Sequence, residues 1–530
     1  MERRSLLQAG VAAAAATTGL SAPALSQRAN ARTLRFVPQA NLANFDPIWG
    51  TQYVVRNAAA LVWDTLYGIN EKLEPKRQMI DSEETSSDGL TWTFRLRPGL
   101  KWHDGEPVRA RDCVASLTRW CARDPMGQML KDIQQELVAV NDTTFRWVLK
   151  RPYPKLLIAL GKANTPLCCM MPERIAATDP FTQISEYIGS GPMRLVRNEW
   201  IPGAKAVFAK FEDYVPRSEP ADWLSGGKRM NFDRIEWLVM PDPATASAAL
   251  QNGEVDWWET PLVDLVPQLR RNRNIAVDIA DPLGNVGSFR MNHLYPPFDN
   301  VGVRRAVQVA LSQEDYMRAV VGDDTDLWKL MPSFFTPGTP LYTEAGGEPL
   351  KGPRNIDLAK RMLAQAGYNG TPVVLLVAQD QPVLKAMGDM TNALLTSIGM
   401  RVDYVATDWG TVGTRRASKE PPSRGGWNIF HTWHAGADCT NPASYSAMRT
   451  NGANAWWGWP DNAEIEALRD RWFDAGPAEE QAIVDEYNKK SMEFATWIPN
   501  GFYLGYQAWR RNVSGIVKAP LPIFWGVSKS

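Results

Sequence analysis

Ser87 to Asp112 reads SDGLTWTFRLRPGLKWHDGEPVRARD, and its pattern decides the local fold. Leu90, Trp92, Phe94 and Leu96 alternate with Thr91, Thr93, Arg95 and Arg97, the period of a strand with one buried face. Pro98-Gly99 turns the chain and Asp104-Gly105 turns it again. A helix follows, with Cys113, Leu117, Trp120 and Cys121 along one side. Asn141-Asp142 then precedes Phe145, Trp147 and Leu149, a second alternating strand. The segment builds a small α+β unit in which nothing is chemically reactive.

Toward the N-terminus, Arg3-Arg4 is followed by Ser5-Leu6-Leu7, an Ala-rich, weakly apolar stretch to Leu20, and small residues around Ala22, Ala24 and Ser26. This is the pattern of a cleaved export signal over residues 1–26, and the paired arginines favour the twin-arginine route. The apolar stretch is too short to span a bilayer, which takes ~20 strongly apolar residues. The mature chain is therefore expected to begin near Gln27 and to work in the periplasm, with no membrane insertion.

Composition agrees with that destination. The chain has 530 residues, 44% hydrophobic and 22% charged, enough for two or three lobes at ~150 residues per domain. Lys+Arg and Asp+Glu both number 58, so no net field favours nucleic acid. Five cysteines, at 113, 121, 168, 169 and 439, leave at least one unpaired. Cys113 and Cys121 on one helix stand ~12 Å apart, beyond disulfide reach, so mostly buried thiols are expected. The 22 tryptophans suit heavy cores or aromatic walls around a ligand. No G-x-S-x-G, H-E-x-x-H, C-x-x-C, P-loop or G-x-G-x-x-G appears, so no catalytic residue, metal site or cofactor is assigned, and an extracytoplasmic hydrolase is the weakest reading.

The 88–112 segment resembles the signature of the peptide/nickel-type (family 5) extracellular solute-binding proteins of ABC importers. Further matches come in the same order: Gly189-Ser190-Gly191-Pro192, Asn252 to Asp256, Met291-Asn292-His293, Pro297 to Asn300, Val303 to Ala306, Ala359 to Tyr368, and Ile398-Gly399-Met400. The resemblance implies an α/β, two-lobed clamp with a large extra α+β subdomain in lobe one. Its divisions fall at 27–72, 73–186 and 187–284 for lobe one, 285–499 for lobe two, and 500–530 for the return to lobe one. It also implies a monomer whose partners are a small-molecule or short-peptide ligand and the importer's permease subunits. A metal chelate or haem, held through His431 or His434, is the alternative ligand.

The second half supports a clamp from its own pattern. Asn355 caps a helix that Gly367 ends. Val373–Val377 reads as a buried strand, Val383–Leu395 as a crossover helix and Met400–Tyr404 as the next strand, a βαβ unit in a mostly parallel sheet. Ligands settle beyond the carboxyl ends of such strands, which brings forward Gln379 and Asp380 and, after the next strand, Trp409. Trp427–Trp433 reads as another strand, on which His431 and His434 point to opposite faces, against joint metal ligation.

In peptide-binding relatives an Asp four residues before a Pro holds the ligand's ammonium group. Asp438, four before Pro442, keeps that spacing, although the separation from Trp433 is two residues longer than in those proteins. Amine anchor and turn-capping loop residue both stand as readings of Asp438. Such relatives also carry an Arg where this chain has Gln379-Asp380-Gln381, so a ligand carboxylate would need Arg56, Arg415 or Arg416. Trp456 and Trp457, in a polar Gly-rich loop, suit a wall over an apolar or cationic group. With Phe45 from lobe one, these residues complete the expected ligand-binding set: Phe45, Gln379, Asp380, Trp409, Trp433, His434, Asp438, Trp456 and Trp457.

Overall fold

This computed structural model describes residues 32–444 and 446–530; the export-signal reading lies outside them. The signature segment folds as its alternation predicts. Thr91–Leu96 pairs antiparallel with Ile80–Thr85 on one side and Thr144–Leu149 on the other, and Gln134–Ala139 completes a four-stranded sheet. Phe94 and Phe145, both fully buried, stack with ring centroids 5.0 Å apart. The helix Ala110–Cys121 packs on this sheet through its buried Cys113, Leu117 and Trp120. Asp112 fixes the start of that helix, accepting the backbone N–H of Arg109 and of Glu173, each at 2.8 Å, and the Trp102 indole N–H at 3.2 Å.

The same turn braces a more distant element. The His103 ring bridges Gly189 N–H at 3.3 Å and the Gly191 carbonyl at 3.0 Å. Gly189 is needed for close approach, since a Cβ there would stand 1.9 Å from the Val62 carbonyl oxygen. Val62 ends the helix Tyr53–Val62, so two motifs remote in sequence hold one helix whose first turn faces the cleft.

Two larger sheets make the lobes. The first runs, in spatial order, Ile275–Ile279, Tyr506–Arg510, Trp257–Trp258, Thr33–Val37, Arg234–Leu238, Lys205–Lys210 and Met193–Leu195. The second runs Trp328–Lys329, Ile498–Tyr503, Asn285–Met291, Ile429–Ala435, Val373–Ala378 and Val402–Thr407. The chain crosses between Ile279 and Asn285 and returns between Tyr503 and Tyr506. The crossings lie side by side, the Ala280 N–H donating to the Gly505 carbonyl at 2.9 Å.

Val373–Ala378, the helix Pro382–Ser397 and Val402–Thr407 form the parallel βαβ unit read from the sequence. The sheet as a whole is mixed rather than mostly parallel, because Asn285–Met291 runs antiparallel to both of its neighbours. A strand leaving a double crossing and one returning to it must run in opposite directions. All five cysteines are buried free thiols. Much of the tryptophan excess fills cores, with Trp63, Trp120, Trp147, Trp237, Trp427 and Trp497 among the fully buried indoles.

Candidate functional site

The strand Ile429–Ala435 ends beside the crossing and turns through Gly436–Cys439, a single 3₁₀ turn that carries Asp438. This turn is fastened to the crossing. The Gly436 N–H donates to the Gly284 carbonyl at 2.7 Å, and a Cβ on Gly436 would lie 1.7 Å from the Leu283 carbonyl oxygen. Thr336 holds the other side, its hydroxyl donating to the Gly436 carbonyl at 2.7 Å and its N–H to the Cys439 carbonyl at 2.8 Å.

Asp438 is fully buried, and lobe one reaches it from two directions. Tyr53, first residue of its helix, donates its phenol to Oδ2. Asn164 donates from Nδ2 to Oδ1 at 2.6 Å and to the Ala437 carbonyl at 3.0 Å. The Tyr53 phenol oxygen also accepts the Ala435 N–H at 2.9 Å, and its ring stacks on Trp433 with centroids 5.0 Å apart. Arg56 stands over the Tyr53 ring at 4.8 Å while its guanidinium donates to Asn57 Oδ1 at 3.1 Å, the Ala163 carbonyl at 3.4 Å and the Pro520 carbonyl at 2.6 Å.

The electrostatics follow from burial. Desolvation pushes the Asp438 carboxyl up from its ordinary range, opposed by the Tyr53 hydrogen bond and then by the Arg56 and Lys162 charges. Lys162 is itself buried against Asp124 at 2.6 Å. Two further carboxylates feel the Arg56 charge. Asp281, in the crossing, is pushed up to about 7, chiefly by burial, and Asp438 adds to the rise. Glu259, bound by the Gln39 N–H at 2.7 Å and Asn57 at 2.8 Å, is also lifted by burial to about 7.

The other expected residues take several places. Asp380 is exposed and accepts the Trp409 N–H at 2.8 Å, so it caps the helix Trp409–Arg415 together with Asp408. Gln379 donates to the Tyr404 hydroxyl at 3.1 Å. Trp409, Trp456 and Trp457, all half-buried, surround Arg416, whose guanidinium carbon lies 5.0, 5.7 and 3.8 Å from their ring centres. Arg290 stands 5.0 Å over Trp456 and donates to the Trp456 and Trp457 carbonyls. These indoles therefore enclose the protein's own cations. Phe45 is buried in lobe one against Trp63, at 4.8 Å, and Phe208.

The two histidines point to opposite faces, as a strand requires. His431 meets Thr391 Oγ1 at 2.7 Å and Asn500 at 3.3 Å through its two nitrogens. His434 packs against Trp497 at 5.1 Å and Trp456 at 5.9 Å. Burial holds both near pKa 3, with the Arg290 and Arg416 charges adding to the effect at His434. Among the described residues no group of three His, Cys, Asp or Glu is placed to hold a metal ion.

Of the expected set, the structure joins Trp433 and Asp438 across the cleft through Tyr53. Sequence reading missed Tyr53, Asn164, Asp281 and Glu259. Tyr53 and Asn164 lie 385 and 274 positions from Asp438, with no local motif to mark either one.

The family model of the bacterial extracellular solute-binding proteins, family 5 Middle, matches residues 74–456. The chain belongs to this family. It is 33% identical, over 100% of both chains, to a probable peptide ABC transporter periplasmic-binding protein of Sinorhizobium fredii. A dipeptide-binding protein of a Pseudoalteromonas species, solved with Met-Leu, superposes with a TM-score of 0.77 at 20% identity, covering 94% of this chain and 100% of that one. A binding protein of A. tumefaciens solved with agropinic acid gives 0.76 at 20% identity, covering 94% and 99%. These likenesses establish the two-lobed solute-binding fold, and family membership makes the chain an extracytoplasmic solute-binding protein. No described helix is long and apolar enough to cross a membrane.

Proposed function

We propose that this chain is the periplasmic receptor of an ABC importer, that it binds a short peptide or another amine-bearing solute such as an opine, and that it hands the solute to the permease unchanged, as a monomer. The S. fredii relative is named for peptides, and the two solved relatives hold a dipeptide and agropinic acid. The observation that carries the reading is Asp438, a fully buried carboxylate between the lobes that, among the described residues, is bound by uncharged donors. A ligand ammonium supplies the missing charge, and a charge-assisted contact in such a site is strong. Trp433 stacks on Tyr53 beside Asp438. Lobe two in this reading is 285–503, a few residues beyond the sequence-derived end at 499 because Ile498–Tyr503 pairs in the second sheet, with lobe one formed by 32–284, including the insertion 73–186, and by 504–530. The chelate or haem alternative draws no support from His431, which commits both ring nitrogens inside lobe two. Arg3-Arg4 supports export by the twin-arginine route; changing both to Lys should leave precursor in the cytoplasm, and unimpaired export removes that part of the proposal.

The deciding experiment is mass spectrometry of the solute released on denaturing natively purified protein. A released compound with a primary or secondary amine is expected. A solute without a cationic group defeats the reading.

A further inference from the structure

We propose that Tyr53, with Asn164, makes Asp438 selective for a ligand group carrying a full positive charge, by closing lobe one onto the carboxylate with uncharged donors. The proposal rests on Asp438 as the ligand's anchor. Each carboxylate oxygen already receives one hydrogen bond from lobe one, Oδ2 from the phenol and Oδ1 from the Asn164 amide. A carboxylate has room for about four such bonds, so a ligand donor still fits. An uncharged N–H arriving there adds a third neutral donor and leaves the charge unbalanced. An ammonium balances it, in a site where water does not screen the pair.

The neighbouring charges do not substitute. Arg56, on the helix that carries Tyr53, turns its guanidinium to Asn57 and two backbone carbonyls. Lys162, two residues before Asn164, is paired with Asp124. Asp281, from the crossing, has the same sign as Asp438. Among the described residues no ion pair includes Asp438, whereas the buried carboxylates Asp46, Asp64 and Asp124 each hold a cation. The site is thus supplied with hydrogen bonds and left short of charge.

Tyr53→Phe tests the inference, because it keeps a ring to stack on Trp433 and deletes the phenol, the donor to Oδ2 and the acceptor of the Ala435 N–H. Oδ2 then stands open to a neutral ligand N–H, and discrimination falls. The Tyr53 bond also holds the Asp438 carboxyl down against burial. Losing it raises that carboxyl, and the amine preference, present where Asp438 is ionised, then fails at a higher pH as the solution is acidified.

The probe is a pool of di- to tetrapeptides without Lys, Arg or His, mixed with an equal amount of the same pool N-acetylated. Immobilised protein captures from the mixture at pH 8 and pH 5.5, and mass spectrometry gives the ratio of free to acetylated peptides. Wild type should favour free amines at least about tenfold, and Tyr53→Phe should cut that ratio about tenfold, the worth of one hydrogen bond to a charged group. The cut should be deeper at pH 5.5. In an Asp438→Asn background the preference should vanish and Tyr53→Phe should change nothing. Wild type with no preference, or no capture, defeats the anchor reading and this proposal with it. A clear wild-type preference that Tyr53→Phe leaves intact, or an undiminished Tyr53→Phe effect in Asp438→Asn protein, overturns the proposal alone.

Discussion

Two of the contacts between lobe one and lobe two are built on different chemistry. Beside the crossing, uncharged donors from Tyr53 and Asn164 meet a buried carboxylate. Farther out, Lys155 is buried against lobe two, paired with Glu480, donating to the Ala475 carbonyl at 3.1 Å and standing 4.9 Å over Trp472. Around it Tyr153 packs on Phe473 at 5.7 Å, Arg469 donates to the Pro125 carbonyl at 3.3 Å, and Arg151 pairs with Asp474 nearer the solvent. The outer contact is complete in charge; the inner one is not. The outer contact therefore favours closure whatever the cleft holds, and in the proposed function the inner contact responds to what arrives.

The largest effect belongs to the inner contact. Asp438→Ala strips the ligand cation of its partner, a loss of roughly 3–5 kcal/mol, so affinity for the natively released solute should fall by about two to three orders of magnitude. Calorimetric titration measures it. A fall of less than about threefold reduces Asp438 to a turn residue and erases the contrast between the two contacts. Next comes Lys155→Met, which keeps the packing on Trp472 and removes the charge. Binding should weaken by about tenfold, and by the same factor for charged and neutral ligands; a charge-dependent loss would mean that the outer contact also senses the ligand.

A third test uses pH. Asp281 has its carboxyl lifted to about 7 from 3.8, so the folded state favours its protonated form. The stability tied to it is present below its ordinary pKa and is lost as pH rises through about 7. Asp281→Asn keeps an oxygen for the Leu283 N–H, bound at 2.8 Å, and removes the charge. Its melting-temperature advantage over wild type should be about 2 °C larger at pH 8 than at pH 5. An equal change at both values would show that charge is not what Asp281 contributes. The smallest effect is expected from Arg151→Ala, because its pair with Asp474 is 36% and 54% exposed. Exposed pairs are worth about 0–1 kcal/mol, and binding and melting should barely move.

Much of this architecture was legible in the sequence because it rests on local periodicity. Leu90 to Leu96 announces its strand by alternation, and the unit from 373 to 407 announces a crossover by its apolar runs. The mixed character of the second sheet was not legible, since it depends on Asn285–Met291 lying between strands that return to the crossing from more than 130 residues away. Asp438 was singled out by its spacing from Pro442, and the structure places it buried beside the crossing. Tyr53 was not singled out, because an aromatic at the start of an Ala-rich helix reads as core, and its partner is set by how the lobes meet. The Trp456-Trp457 loop was read as a ligand wall; in the structure its indoles lie against Arg416 and Arg290, cations distant in sequence that the loop alone could not reveal.

The fastening of Gly436 to Leu283 and Gly284 has a mechanical consequence. Asp438 lies in the turn that begins at Gly436, so a swing of the lobes about the crossing carries the carboxylate only a short way while changing its reach to Tyr53 and Asn164. In the proposed function, a permease that senses the angle between the lobes would thereby sense whether that carboxylate is held.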